Sequence, residues 1–171
     1  MCSSDLTELI KLTSKDISKE NNFIIFGRRG SGKTSICAAL TNYYVKNNHK
    51  CAFIDMRKYM NNLLNKISFK DNEGYNELLN IANNVEVLVI DNLGDEKISD
   101  WSRTILSDIL SSRNRSDKFT IISSSHYYED LESLYSAIKG ETNYRANKIK
   151  AQDLLSQIKT LCKNEYKLRS E

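Results

Sequence analysis

The stretch NFIIFGRRGSGKTSICAAL, residues 22–40, places a glycine-rich turn between a short apolar run and a helical pattern. The apolar run Phe23–Phe26 is typical of a strand that is buried on both faces of a parallel sheet. After the turn, residues 33–45 carry apolar side chains at helical spacing. Residues 27–34 fit the pattern G-x-x-x-x-G-K-[ST] in full, in the strand-to-helix context that this pattern requires. The stretch therefore predicts a phosphate-binding loop at the carboxyl end of a buried parallel strand.

The chemistry of this loop defines a set of candidate nucleotide contacts. Its glycines let successive backbone N–H groups point inward as an anion-binding nest, and the following helix adds its positive dipole end. We expect Lys33 to reach the β- and γ-phosphates and the Thr34 hydroxyl to bind Mg²⁺. The predicted nucleotide-binding residues are Gly27, Arg28, Arg29, Gly30, Ser31, Gly32, Lys33, Thr34 and Ser35.

A phosphate-binding loop of this kind needs a carboxylate at the end of a neighbouring strand to hold Mg²⁺ through water. Asp91 meets that description, because it ends the apolar run that starts at Val85. The predicted metal ligands are therefore Thr34 and Asp91. Arg28 and Arg29 occupy variable positions of the loop pattern, and either face water or contact a partner or nucleic acid.

Strand and helix patterns alternate along the rest of the chain. Further strands are predicted at residues 51–55, 119–123 and 166–168, and helices over 57–67, 73–83, 99–112, 129–138 and a long C-terminal segment. This alternation indicates an α/β fold with a parallel sheet covered by helices on both faces. A chain of 171 residues fits one domain, which we expect over residues 22–171. Residues 1–21 are predicted to form a preceding segment, either a short polar helix or a linker.

Composition excludes several classes of protein. The chain is 40% hydrophobic and 27% charged, which is the profile of a soluble globular protein. Its net charge of +3 is too small to establish a polyanionic partner. The four cysteines include no C-x-x-C pair, which argues against zinc and for buried thiols in a reducing compartment. No apolar stretch approaches a membrane span and no secretory signal is visible, so we expect a cytoplasmic location.

From Asp91 onward, the chain carries a series of motifs in order. They are Asp91-Asn92-Leu93-Gly94-Asp95-Glu96, then Ser99-Asp100-Trp101, then Arg113, Thr120-Ile121 and Ser123-Ser124-Ser125. With the phosphate-binding loop, this series resembles the AAA+ ATPase module of the bacterial replicative helicase loaders of the DnaC and DnaI type, and of the related IstB transposition ATPases. The resemblance covers about residues 22–169.

The resemblance implies a P-loop NTPase of AAA+ type with a five-stranded parallel sheet between helices, and ATP and Mg²⁺ as cofactors. It implies self-assembly into an open spiral when ATP is bound, around single-stranded DNA, with a replicative helicase or a loader protein as partner. Arg113 stands where loaders carry an arginine finger for the γ-phosphate of the adjacent subunit. The alternative is an ordinary basic residue at a helix C-terminus, where the helix dipole favours cations.

Three departures from the family pattern concern catalysis. Asn92 replaces the second acid, and an amide cannot accept a proton as a carboxylate does. Ser125 replaces the asparagine that ends the fourth strand of the family, and Gln157 stands in place of a sensor arginine, with Lys148 and Lys159 as nearby substitutes. Lys33, Asp91, Asn92, Arg113 and Ser125 are thus the candidate catalytic residues. We predict a protein that binds ATP and hydrolyses it slowly, if at all.

A second group of residues suggests contact with single-stranded DNA. Between the second and third strands, Lys58, Lys66 and Lys70 accompany Tyr59 and Phe69. Lysines with aromatic side chains suit a single strand, because the lysines follow the backbone and the rings stack on bases. The alternative is a solvated helical face whose aromatic residues lie in the core.

Two other functions stay open at this stage. The chain could be a non-catalytic regulator that occupies the surface of a loader or helicase. The three departures favour this reading, as do the roughly twenty residues before the first strand, where family loaders carry a longer helicase-gripping extension. A P-loop kinase of nucleosides or nucleotides is the third candidate, although the sequence offers no convincing arginine-rich lid.

Overall fold

A computed structural model describes residues 17–138 and 143–168 of the chain. Of the preceding segment over residues 1–21, predicted to be a short polar helix or a linker, residues 1–16 lie outside the described residues. A single 3₁₀ turn, Lys19–Asn21, leads into the first strand.

A five-stranded sheet forms the centre of the structure, in the spatial order β2-β3-β4-β1-β5. All four neighbouring strand pairs are parallel, which confirms the predicted fold class. The strands are β1 (Phe23–Phe26), β2 (Cys51–Asp55), β3 (Val87–Leu93), β4 (Phe119–Ser124) and β5 (Asn164–Lys167). Strand β3 starts two residues later than predicted and continues past Asp91 to Leu93, with a register shift between Ile90 and Leu93.

Six α-helices connect these strands in the described part of the chain. They are α1 (Lys33–Lys46), α2 (Met56–Ser68), α3 (Asn72–Asn84), α4 (Asp100–Arg115), α5 (Tyr128–Ser136) and α6 (Tyr144–Leu161). Helix α4 begins directly after Ser99, whose hydroxyl accepts from the Ser102 N–H while the Ser102 hydroxyl accepts from the Ser99 N–H, which forms a capping box. None of the described helices combines the length and the apolar character that crossing a lipid bilayer requires.

Helices cover both faces of the sheet. Helix α1 packs on one face, where Ile36, Leu40 and Tyr44 meet Val87 and Val89. The other face packs against apolar residues of the remaining helices, including Met60, Leu106, Tyr135 and Leu154. Since successive strand residues point to opposite faces, both sets of side chains must be apolar. This explains why the strands read as continuous apolar runs.

Side-chain alternation also positions the candidate site. Val87 and Val89 face α1, so Asp91, two residues further along β3, points to the same side. Phe119 and Ile121 of β4 face α1 as well, which places Ser123 on that side too. The carboxyl ends of β3 and β4 therefore present polar side chains to the beginning of α1.

Candidate nucleotide-binding site

The predicted phosphate-binding loop joins β1 to α1 and has an open concave shape. Gly30 has a φ angle of 82° and Gly32 one of 90°, in the left-handed region that favours glycine. A Cβ atom at Gly30 would meet no atom within 4 Å, so the loop is open at that point. The buried Ser31 hydroxyl has no hydrogen-bond partner among the described residues. An open glycine turn with an unpaired hydroxyl suits a bound phosphate, which accepts hydrogen bonds from both kinds of donor.

Lys33 is the first residue of α1, and its ammonium group is held inside the loop. Nζ donates to the carbonyl of Gly27 at 2.6 Å and to that of Arg28 at 2.9 Å. Burial lowers the pKa of Lys33, while the nearby Asp91 carboxylate opposes that shift. The group lies at the positive end of the α1 dipole, where a positive charge by itself is unfavourable. An anion in the loop would relieve both effects.

Thr34 and Asp91 form the predicted metal pair. The Thr34 hydroxyl donates to Asp91 Oδ2 at 2.8 Å, and the Asp91 side chain is buried. No group of three or more His, Cys, Asp or Glu side chains that could hold a metal ion exists among the described residues. Magnesium does not need such a group, because it keeps several waters and takes one or two protein oxygens beside substrate phosphates. Thr34 and Asp91 therefore fit Mg²⁺ that arrives with a nucleotide.

Asn92 separates two carboxylates. Its backbone has a φ angle of 59°, and its amide nitrogen donates to Asp55 Oδ2 at 3.0 Å and to Asp91 Oδ2 at 3.1 Å. Asp55 ends β2 directly opposite Asp91 in the parallel register. The amide thus stands beside a carboxylate that the neighbouring strand supplies, and Asp55 also caps α2 by accepting from the Lys58 N–H at 3.0 Å.

Ser123, which the sequence analysis did not single out as a site residue, reaches Asp91, whereas the predicted Ser125 does not. The Ser123 hydroxyl donates to Asp91 Oδ1 and accepts from the Asn92 N–H, the latter at 3.2 Å. Ser125 follows the last residue of β4 and lines the cleft beside Asn92. The alternation of Phe119, Ile121 and Ser123 toward α1 is the signal that could have identified Ser123.

A cleft of about 450 Å³ opens above the loop. Its lining residues are Arg29, Gly30, Gly32, Lys33, Thr34, Ser35, Arg57, Asn92, Asp95 and Ser125. Asp95 organises its rim, since its carboxylate contacts Arg29 Nη2 at 3.1 Å and His126 Nε2 at 3.3 Å. Of the two loop arginines, Arg29 therefore pairs across the cleft, while the Arg28 side chain is exposed and lies outside the cleft lining.

The predicted arginine finger at Arg113 does not fit the structure. The Arg113 side chain is 0% exposed and points into its own subunit. It donates to the Thr120 hydroxyl and to the backbone carbonyls of Ala82, Val85, Glu86 and Phe119. A finger must be free to reach the neighbouring subunit's nucleotide, so we correct the prediction and assign Arg113 a structural role.

The residue proposed in place of a sensor arginine also lies away from the cleft. Gln157 of α6 accepts from Ser107 at 3.0 Å and from Ser111 at 3.4 Å, both on α4. Of its proposed substitutes, Lys159 sits 4.5 Å from the Tyr128 ring centroid, and Lys148 is exposed on the same helix. None of the three lines the cleft.

The fold places the residues of the predicted DNA-contacting group in different environments. Tyr59 is a core residue whose hydroxyl donates to the Leu78 carbonyl at 3.1 Å, which rules out base stacking by this ring. Phe69 is 82% exposed. Lys66 forms an ion pair with Asp71 at 2.6 Å. Of the two aromatic residues in the prediction, only Phe69 therefore remains exposed for base stacking.

Burial of the Glu96 carboxylate is expected to make the stability of the protein depend on pH. This buried carboxylate accepts from the Gly94 N–H at 2.9 Å and from the Tyr135 hydroxyl at 2.5 Å, and burial raises its pKa above the ordinary 4.5. The folded state therefore binds its proton more tightly, so stability falls as pH rises from 4.5 through the folded-state pKa. Glu96→Gln is expected to remove this fall, as measured by urea unfolding from pH 4.5 to 7.5.

Glu86→Gln serves as the control for that experiment. A hydrogen bond from His49 lowers the pKa of Glu86, so its contribution has the opposite sign and is lost as pH falls. If Glu96→Gln and wild type show the same pH profile, the buried carboxylate does not titrate as expected.

The sheet order, the loop and the Thr34–Asp91 pair together define a P-loop nucleotide-binding protein of the AAA+ type. The chain belongs to the IstB-like ATP binding protein family, whose sequence model matches residues 3–141. This membership confirms the resemblance that the motif series indicated.

Individual relatives agree with this assignment. The chain is 28% identical over 113 residues to the replicative helicase loader DnaC of Buchnera aphidicola subsp. Baizongia pistaciae, covering 66% of this chain and 46% of that protein. It is 30% identical over 115 residues to the DnaC loader of Escherichia coli K12, with the same coverage. The crystal structure of DnaI shares the fold, with a TM-score of 0.74 and 23% identity over 95% of this chain and 82% of that one. The chain spans about half the length of the curated relatives it matches.

Proposed function

We propose that this chain binds ATP with Mg²⁺ in the cleft above the β1–α1 loop. The hydrogen bond between Thr34 and Asp91, beneath an open glycine turn, is the observation that carries the proposal. The loop amides, the Ser31 hydroxyl and Lys33 would hold the phosphates. Thr34 would bind Mg²⁺ directly, and Asp91 would bind it through water. Magnesium would supply charge neutralisation between the β- and γ-phosphates.

The same proposal extends to a role in DNA replication. The chain would act as the ATPase module of a helicase loader and would engage a replicative helicase on single-stranded DNA. Residues 22–171 would form the ATPase domain, with residues 1–21 preceding it. The similarity to proteins named replicative helicase loaders supports this role. ATP would promote self-assembly, and exposed Phe69 with its neighbouring Lys70 offers a contact for a single strand.

Hydrolysis would be slow in this protein. The Asn92 amide donates to two carboxylates, and an amide cannot take the proton of an attacking water. Asp55, the nearby acid, is engaged as the cap of α2 and by Asn92. ATP binding rather than rapid turnover would then be the signal that the protein transmits.

A non-catalytic regulator is the second candidate. The burial of Arg113 favours it, because this residue cannot serve as the trans-acting finger that couples neighbouring subunits. A regulator would bind a loader or a helicase with little dependence on ATP. A loader would form larger species with a non-hydrolysable ATP analogue. Gel filtration with the host helicase and single-stranded DNA, with and without the analogue, distinguishes the loader from the regulator.

Replacing Lys33 with alanine is expected to weaken Mg-ATP and Mg-ADP binding by at least about tenfold, since it removes the charge that contacts the phosphates. Isothermal calorimetry measures both affinities. Lys46→Ala is the control, because Lys46 is an exposed lysine at the other end of the same helix. Absence of binding heat from folded wild-type protein would contradict the proposed function.

A further inference from the structure

Arg57 is a cleft residue that the motif analysis did not identify. It is the second residue of α2, which starts directly after β2, so it lies at the carboxyl edge of the sheet. The same edge carries the phosphate-binding loop and Asp91, and Arg57 lines the cleft together with Lys33 and Asn92. Its position is therefore on the nucleotide side of the molecule.

Helix stability does not explain an arginine at this point. A cation in the first turn opposes the helix dipole, and the first turn of α2 contains no acidic residue to balance it. Asp55 caps the helix through the backbone N–H of Lys58 and makes no ion pair with Arg57 among the described residues. The arginine is thus placed at a small cost to the helix.

The hydrogen bonds around Asp95 fix the direction of the Arg57 side chain. Its Nε donates to the backbone carbonyl of Asp95 at 3.0 Å. The Asp95 carboxylate is already engaged by Arg29 and by His126. Among the described residues, the two terminal nitrogens of Arg57 therefore keep their donors free, on a guanidinium that is anchored at one end.

We infer that Arg57 contacts the terminal phosphate of ATP within its own subunit and makes the protein distinguish ATP from ADP. This inference rests on the proposed function. The Thr34–Asp91 pair and Lys33 locate the β- and γ-phosphates near the ends of β3 and β4. Arg57 faces that region, together with Asn92 and Ser125. A guanidinium presents two parallel N–H donors, which suits the oxygens of a phosphate group.

With this assignment, Arg57 supplies the positive charge at the terminal phosphate that the buried Arg113 cannot supply. A finger from a neighbouring subunit senses ATP only after assembly, whereas Arg57 would sense it in a single chain. An Arg57 contact would also link the nucleotide to Asp95, and through Asp95 to Arg29 and His126 at the cleft rim.

The test is the ratio of ATP to ADP affinity, measured by calorimetry with Mg²⁺ on the full chain. Arg57→Gln is expected to weaken Mg-ATP binding by about tenfold, and Mg-ADP binding by less than about twofold, because one charge-assisted contact to the terminal phosphate is lost. Arg57→Lys should fall between the variant and wild type, since it keeps the charge without the bidentate geometry.

Arg115→Gln is the matched control, because it removes an exposed arginine at the end of α4, and it should change neither affinity. An unchanged ratio of ATP to ADP affinity in Arg57→Gln would overturn the inference while leaving the proposed function intact. This holds whether neither affinity changes or both fall equally, since an equal fall would indicate a general charge effect. Failure of the wild type to bind either nucleotide would overturn the proposed function itself, and the inference with it.

Discussion

Replacing Arg113 with methionine is expected to lower the free energy of unfolding by about 3 kcal/mol. Methionine fills much of the volume but donates no hydrogen bonds, so the Thr120 hydroxyl and the carbonyls of Ala82 and Phe119 lose buried partners. Burial lowers the pKa of Arg113 to about 10, which leaves the guanidinium charged at neutral pH and bound to these oxygens. Urea unfolding measures the change.

Arg115→Met provides the control for this prediction. Arg115 is in the last turn of the same helix but is exposed, so its substitution should change stability by less than about 0.5 kcal/mol. If Arg113→Met retained wild-type stability but lost ATP-dependent assembly, the finger role would be restored and the structural assignment would be wrong.

The contrast between Lys33 and Arg113 shows which features the sequence could predict. The loop around Lys33 is defined by residues within a few positions of one another, so its motif carries the geometry with it. Alternating strands and helices likewise predicted the parallel sheet. Arg113, by contrast, is held by the end of α3 and the start of β4. Its burial depends on how distant segments converge, which a family position cannot reveal.

The polar contacts around Asp91 could not be predicted from the sequence for a related reason. Ser123 and Asp55 reach this region because the parallel register aligns the ends of β2, β3 and β4. Ser123 and Ser125 are two residues apart, but Ser123 lies within β4 and contacts Asp91, whereas Ser125 follows the last residue of that strand. Arg57 escaped notice because no motif includes it, although it lines the same cleft.

The arrangement of Asp55 and Asn92 predicts a gain of function. Exchanging them in the double variant Asp55→Asn, Asn92→Asp is expected to raise ATP turnover on the order of 10²-fold, the lower range for a positioned general base. The exchange moves the carboxylate to the residue that lines the cleft and keeps an acid–amide pair between the two strands. Aspartate tolerates the left-handed backbone at position 92, and asparagine still caps α2. Steady-state phosphate release measures the turnover.

The single variants separate the contributions. Asp55→Asn alone leaves both positions without an acid, so its turnover should not exceed that of wild type. Asn92→Asp alone places a third carboxylate beside Asp55 and Asp91, and mutual repulsion should reduce both its stability and its gain in turnover.

Turnover of several ATP per second by the wild-type protein without partners would contradict the assignment of Asn92 as the cause of slow hydrolysis. An exchanged variant that binds Mg-ATP normally but releases phosphate no faster would contradict it equally. In that case the missing element would be a charge supplied in trans, because the buried Arg113 cannot provide one. Adding the host helicase or a second loader would then be expected to raise turnover in both the wild type and the exchanged variant by the same factor.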